Sequence, residues 1–384
     1  MSSLPIRPPL IVHHMAALDE LPAASGPTDR PLGSPKTASP EGPGASPDAL
    51  VRGPSPLAGA FAPGSGEAAA AKGIATDLLG TQGREAPAQQ LRSPAGSQAA
   101  APQNSLEAIA ACLDAGAAVV EVDITALAGD DYLLVHEPLL EAETNGSGPV
   151  AQCTAAQARG LSISRHGIDT PYRVALLSDV VGLLLDRPGE THLQLDFKNV
   201  EPFADDEPLQ RLLGLIEPLG RRVLVSTGAD WQLRKLHRIA PWLMLGFDVM
   251  GYLDWEPAGA ARNPDEYPKQ RGVYGYYDDH PLAGTRRWPV ADYLRDRCES
   301  LMGLVPAVSI FYIRHTLLAQ SLNDGFNWAE ALHSRGIRLD AWTLDVTDPL
   351  AVTNALRLLA SGVDQFTTNT PRALAGLLNG SPAS

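Results

Sequence analysis

The chain of 384 residues is 44% hydrophobic and 19% charged, with a formal charge of −14. So acidic a balance argues against a protein that holds nucleic acid through phosphate contacts. No run of about 18 apolar residues, sustained heptad or Gly-X-Y repeat is present, which excludes stable membrane insertion, coiled coil and collagen. Cys112, Cys153 and Cys298 are too few and too scattered for a disulfide framework or a zinc knot. Met1–Arg7 lacks the apolar stretch of a secretory signal, so a cytoplasmic protein is expected.

Pro9–His14 reads as a short buried strand ending in two histidines, and residues 1–16 are taken as the first strand unit. The composition then changes. Between Leu21 and Ala100, 50 of 80 residues are Ala, Gly, Pro or Ser, and Phe61 is the single aromatic. Such a stretch cannot bury enough apolar surface to offset about 1–2 kcal/mol of backbone entropy per residue. Residues 17–101 are therefore expected to be a disordered low-complexity insertion in one loop, with a short helix near Ala68–Leu79.

Residues 102–380 alternate between strand and helix patterns. A helix is expected from Asn104 or Ser105 to Asp114, stopped by Gly116, followed by strands at Ala118–Ile124 and Tyr132–His136. A helix at Leu176–Leu185 and a strand at His192–Phe197 come next. Further strands fit Arg222–Ser226, Met244–Val249, Val308–Tyr312, Arg338–Leu344 and Asp364–Thr367. Helices between them fit Trp231–Ile239, Ala291–Leu301, Trp328–Ser334 and Leu350–Leu359. This alternation implies parallel strands with crossover helices, and a count near eight favours an α/β fold of the (β/α)8 TIM-barrel type. No Gly-x-Gly-x-x-Gly follows the first strand, which weighs against a dinucleotide fold.

In such a barrel the reacting groups sit at the C-terminal ends of the strands. Those ends carry His13-His14, Glu121-Val122-Asp123, His136-Glu137, Asp196-Phe197-Lys198 and Trp342. Glu121 and Asp123 are two residues apart and so face one side of their strand. Together with Asp196 they make a hard oxygen site for a divalent cation, Mg²⁺ or Ca²⁺. Lys198 shares the parity of Asp196 and adds a fixed positive charge suited to phosphate. His14 and His136 would then act as general base and general acid on either side of a phosphate. His192 begins its strand and reads as structural, while His166, His237 and His333 read as solvated. The loop from Tyr274 to His280 would either cover the site or pack on the barrel.

In order and local text this set resembles the glycerophosphodiester phosphodiesterase family. Pro102-Gln103-Asn104-Ser105-Leu106-Glu107-Ala108 is similar to the family's Pro-Glu-Asn-Thr-Leu-x-Ala segment, and Gly116-Ala117 through Glu121-Val122-Asp123 to its Gly-Ala…Glu-x-Asp segment. Val135-His136-Glu137-Pro138, Asp196-Phe197-Lys198 and Ala341-Trp342-Thr343 resemble its His-Asp, Glu-x-Lys and Trp-Thr segments, with Glu137 and Asp196 exchanged for the other acid. The family's opening His-Arg-Gly matches only His14, leaving Met15 where a phosphate-binding arginine would stand. The resemblance implies a metal-dependent phosphodiesterase that hydrolyses glycerophosphodiesters to glycerol 3-phosphate and an alcohol. His14 and His136 would be catalytic, Glu121, Asp123 and Asp196 would be metal ligands, and Lys198 and Trp342 would bind the small-molecule substrate. It also implies attack by a neighbouring glycerol hydroxyl, giving a cyclic phosphate that water opens. Two alternatives are a phospholipase D-like enzyme acting on lysophospholipids and a catalytically impaired barrel that keeps only the phosphate pocket.

Overall fold

Strict alternation along one strand, Val119–Ala126, sets the architecture. Val120, Val122 and Ile124 join a buried apolar cluster with helix residues Ile109, Cys112, Val180 and Leu184, while Glu121 and Asp123 face the other way. The computed structural model describes residues 10–13, 101–187, 189–257, 259–260, 262 and 266–378.

Eight parallel strands among these residues form the barrel: β1 (Leu10–His13), β2 (Val119–Ala126), β6 (His192–Phe197), β7 (Val223–Thr227), β8 (Met244–Asp248), β9 (Ile310–Arg314), β10 (Arg338–Trp342) and β11 (Gln365–Thr368). They pair in that order, and β1 closes the ring by pairing with both β11 and β2. Three short strands, β3 (Tyr132–Leu133), β4 (Ser162–Arg165) and β5 (Ile168–Arg173), lie between β2 and β6 and outside the ring. The fold is a (β/α)8 barrel, the architecture that the sequence alternation favours.

Helices cover the outside in chain order: α1 (Leu106–Asp114), the short α2 (Ala155–Ala158), α3 (Leu177–Asp186), α4 (Glu207–Ile216), α5 (Asp230–Ile239), α6 (Val290–Leu304), α7 (His315–Asn323), α8 (Trp328–His333), α9 (Pro349–Ser361) and α10 (Pro371–Leu378). Ser105 caps α1 by accepting the Ala108 N–H, and Gly362 ends α9 in the left-handed conformation. α4 is not among the helices expected from sequence; it opens at Asp205-Asp206-Glu207-Pro208, which has the composition of a turn. Proline is tolerated in a first helical turn, where its missing N–H has no partner to lose. None of these helices is long and apolar enough to cross a membrane.

One expected barrel strand is corrected. Tyr132–His136 does not enter the ring, because the chain reverses at Gly129–Asp131 and Tyr132–Leu133 returns antiparallel to the end of β2. The excursion from Leu127 to Leu176 has its own small core, including Leu133, Val135, Leu140, Val150 and Ile163. His136 is thereby held beyond the C-terminal end of β2 rather than at the end of a barrel strand. The Tyr274–His280 loop packs on the barrel: Tyr274 stacks on Tyr293 of α6, and buried Asp278 accepts from Tyr293 Oη at 2.6 Å and Arg297 Nε at 2.8 Å. The expected first-strand residue His14, the expected insertion and the expected helix near Ala68–Leu79 lie outside the described residues.

Inside the barrel, parity and register place Glu121 beside Gln194, Asp123 beside Asp196, and Asp196 beside Ser226. Below this polar layer Leu224, Met244, Ile310 and Tyr312 form a small inner core. Gly246 occupies an inward position of β8 where a Cβ would fall 2.4 Å from Tyr312 Cε2. The buried Tyr312 ring would have to shift, so Gly246→Ala is expected to destabilise the barrel by about 1–3 kcal/mol. Urea unfolding of the purified variant checks this, and a midpoint equal to that of the parent chain would show that the ring is free to move.

Candidate active site

Three carboxylates meet at the C-terminal end of the barrel. One oxygen each from Glu121, Asp123 and Asp196 lies within 4.8 Å of the others. Glu121 and Asp123 are buried and Asp196 partly so. Like charges directly opposite one another on paired strands repel, so the cluster depends on what neutralises it. Lys198, one residue beyond β6, places Nζ 2.8 Å from Asp123 Oδ1 and 2.6 Å from Asp196 Oδ2. Burial alone would push the lysine toward its neutral form, but Asp123, Asp196 and Glu121 outweigh it and hold its pKa above the ordinary value.

The other oxygen of Asp123 is held from a different element. Asn104 donates Nδ2–H to Asp123 Oδ2 at 3.0 Å and accepts the Asp123 N–H at 3.3 Å. This grip requires Asn104 to adopt a left-handed backbone with φ 58°, a conformation that asparagine tolerates better than most residues. Gln103 Nε2 donates to Asn369 Oδ1 at 3.0 Å, and Asn369 in turn donates to Asp345. The Pro102–Ser105 segment thus ties the carboxylate layer to the ends of β10 and β11.

A cavity of about 210 Å³ opens above the carboxylates. Glu121, Asp196 and Lys198 line one part of it, with His136, Asp248, Arg314 and Trp342 around the rest. His136 is exposed at its rim, with Nδ1 3.0 Å from Glu137 Oε1. Its backbone is fixed by Glu143, whose Oε2 accepts the N–H groups of His136 at 2.7 Å and Glu137 at 3.2 Å. Burial raises the pKa of Glu143, and nearby Asp123 adds to the rise against those two N–H donors.

The structure therefore brings together Glu121, Asp123, Asp196, Lys198, His136 and Trp342. His192 lies toward the other end of its strand, and His333 pairs with Asp364 at 2.7 Å, away from the cavity. Sequence reasoning missed Asn104 as a contact of Asp123, Glu143 as the support of His136, and Asp248 and Arg314 as cavity residues. The last two carried a usable signal, since each ends a barrel strand at the parity of its inward neighbours, Gly246 and Tyr312. Burial pushes the Asp248 carboxyl up to about 7; Asp196 adds to the rise, while the Met250 N–H, Lys198 and Arg314 oppose it.

Residues 95–251 match the model of the glycerophosphoryl diester phosphodiesterase family. Among curated proteins, none matches the chain. Of solved structures, a Galdieria sulphuraria protein assigned as a glycerophosphodiester phosphodiesterase is 15% identical, with a TM-score of 0.50 over 74% of this chain and 94% of that one. A Silicibacter pomeroyi protein assigned as a glycerophosphoryl diester phosphodiesterase is 17% identical, with a TM-score of 0.49 over 73% and 89%. An Oleispira antarctica phosphodiesterase, in complex with its product sn-glycerol-3-phosphate, is 15% identical with a TM-score of 0.49 over 73% and 92%.

Asn104→Ala removes two bonds to buried Asp123 and leaves an alanine in the left-handed region. The expected loss is about 2–4 kcal/mol of stability. Asn104→Gly, spared the backbone cost, should lose roughly 1 kcal/mol less. Chemical denaturation of both variants measures the difference, and an unaltered midpoint for Asn104→Ala would show that the grip on Asp123 contributes nothing to folding.

Proposed function

We propose that the chain is a member of the glycerophosphoryl diester phosphodiesterase family, whose model matches residues 95–251, and that it hydrolyses glycerophosphodiesters to glycerol 3-phosphate and an alcohol. The observation that carries this reading is the cluster of Glu121, Asp123 and Asp196 bridged by Lys198 at the barrel mouth, with His136 on the rim of the same cavity.

A divalent cation fits the donor set. All three groups are carboxylates, the hard oxygen ligands that Mg²⁺ and Ca²⁺ prefer. Three carboxylates and one ammonium leave a charge of −2, which one such ion would cancel. Bound there, the ion would polarise a phosphoryl oxygen and offset charge gathering on the phosphate.

This chain's own groups account for the remaining chemistry. Lys198, kept charged by its carboxylates, donates to a non-bridging phosphate oxygen as negative charge builds there. Trp342 offers an apolar wall for the carbon skeleton of the substrate. With Nδ1 donating to Glu137, the His136 ring has Nε2 to exchange a proton with the substrate. In its protonated form His136 gives that proton to the oxygen of the departing alcohol. His14, the residue after β1, is assigned the opposite role of taking the proton from the attacking hydroxyl. Attack by the substrate's own glycerol hydroxyl would form a cyclic phosphate, and addition of water across one P–O bond then yields glycerol 3-phosphate.

Two experiments test this. Isothermal calorimetry should detect Mg²⁺ or Ca²⁺ binding that Glu121→Gln weakens by at least tenfold; no measurable binding of either ion to the parent chain would remove the metal assignment. His136→Ala should slow hydrolysis of glycerophosphocholine by roughly 10²–10⁴-fold. The loss on bis(p-nitrophenyl) phosphate should be much smaller, because p-nitrophenolate leaves without a proton and an alkoxide does not. Equal losses on the two substrates would make His136 a base or a phosphate contact instead.

A further inference from the structure

We propose that Arg314 is a phosphate-binding residue of this site, an assignment that rests on the phosphodiesterase reading above. Apart from His136, Lys198 and Arg314 are the cationic residues among the described groups lining the cavity. Lys198 spends two of its three N–H donors on Asp123 and Asp196, at 2.8 and 2.6 Å, which leaves one for the phosphate. A phosphodiester is an anion with two non-bridging oxygens, and bringing it beside three carboxylates calls for positive charge from the opposite wall.

Arg314 supplies that charge in an arrangement that leaves one edge of its fork weakly engaged. It is the last residue of β9, two beyond inward-facing Tyr312, and its side chain is only 20% exposed. The guanidinium carbon lies 5.3 Å from the centre of the Trp342 ring, a cation–π contact. Nη1 pairs with Glu256 and lies 3.5 Å from Asp254 Oδ2. Nη2 has a different neighbour, the thioether of Met250 at 2.9 Å, and Met250 also lines the cavity. Thioether sulfur is a weak acceptor, so a phosphate oxygen arriving from the cavity would replace it at little cost. A planar fork with one side anchored and the other toward the cavity suits phosphate geometry better than a lysine ammonium does.

A purely structural role is the rival account, in which Arg314 only fastens β9 to the loop after β8. Asp254 argues against that necessity, because Arg262 already meets its Oδ2 at 2.6 Å from the same loop. Glu256 remains as an anchor that a lysine at position 314 would still pair with.

The test titrates sn-glycerol 3-phosphate into the full chain with Mg²⁺ present, comparing the parent with Arg314→Lys and Arg314→Ala. Binding should weaken at least tenfold in Arg314→Ala and several-fold in Arg314→Lys, whose melting temperature should stay close to that of the parent. Millimolar guanidinium ion should restore part of the binding to Arg314→Ala, an effect that a fastening role would not produce. If Arg314→Ala fails to fold, the lysine variant alone decides. A parent chain that binds the probe together with variants that bind it equally well overturns the role of Arg314 and leaves the phosphodiesterase reading intact. A parent chain that neither binds glycerol 3-phosphate nor cleaves a glycerophosphodiester overturns that reading and the assignment with it.

Discussion

The ammonium of Lys198 sits between Asp123 and Asp196, and the mouth of the barrel depends on it. Those aspartates face each other across paired strands β2 and β6, with Glu121 close by. At separations near 4–5 Å and an effective dielectric of about 20, each pair of carboxylates repels by roughly 3–4 kcal/mol. Packing cannot absorb such a cost, because the strands are fixed by their hydrogen-bond ladders. One buried cation relieves it in part, and the residual charge of −2 explains why the same geometry suits a divalent ion.

The barrel supplies the precision that the contact needs. Outward residues of β2, Val120, Val122 and Ile124, are locked against α1 and α3, so the inward carboxylates cannot drift. β1 closes the ring by pairing Val12 with Val119, although the two are separated by most of the low-complexity sequence. Closure entropy grows only slowly with loop length, so a long intervening segment costs little beyond a short one. Asn104, just before α1, then brings the far end of that connection onto Asp123.

Charge is distributed unevenly around the cavity. One wall carries Glu121, Asp196 and the lysine between the aspartates, and another carries Arg314 laid on Trp342. Asp248, whose carboxyl burial pushes to about 7, carries less negative charge near neutral pH than an ordinary aspartate would. The rim is less rigid chemistry than the floor, since His136 is exposed and is positioned through its backbone by Glu143 rather than through its ring.

Alternation of strand and helix, and the residue types at strand ends, were enough to read the barrel and the group Glu121, Asp123, Asp196, Lys198 and Trp342 from sequence. The reason is that parity along a strand is a local property: residues two apart share a face whatever the rest of the chain does. His136 was picked out by the same rule for a strand that does not enter the ring; the turn at Gly129–Asp131 folds Tyr132–Leu133 back on β2, and the histidine reaches the mouth by that route. Arg314 and Asp248 were open to the same parity rule, whereas Asn104 and Glu143 were not legible as parts of the site. Their roles come from contacts between segments far apart in sequence or from a side chain meeting backbone N–H groups, and no spacing rule encodes those. Sequence by itself determined which side chains face the axis of the barrel; only tertiary structure decided which of them touch, because register between strands and the path of the loops depend on packing across the whole ring.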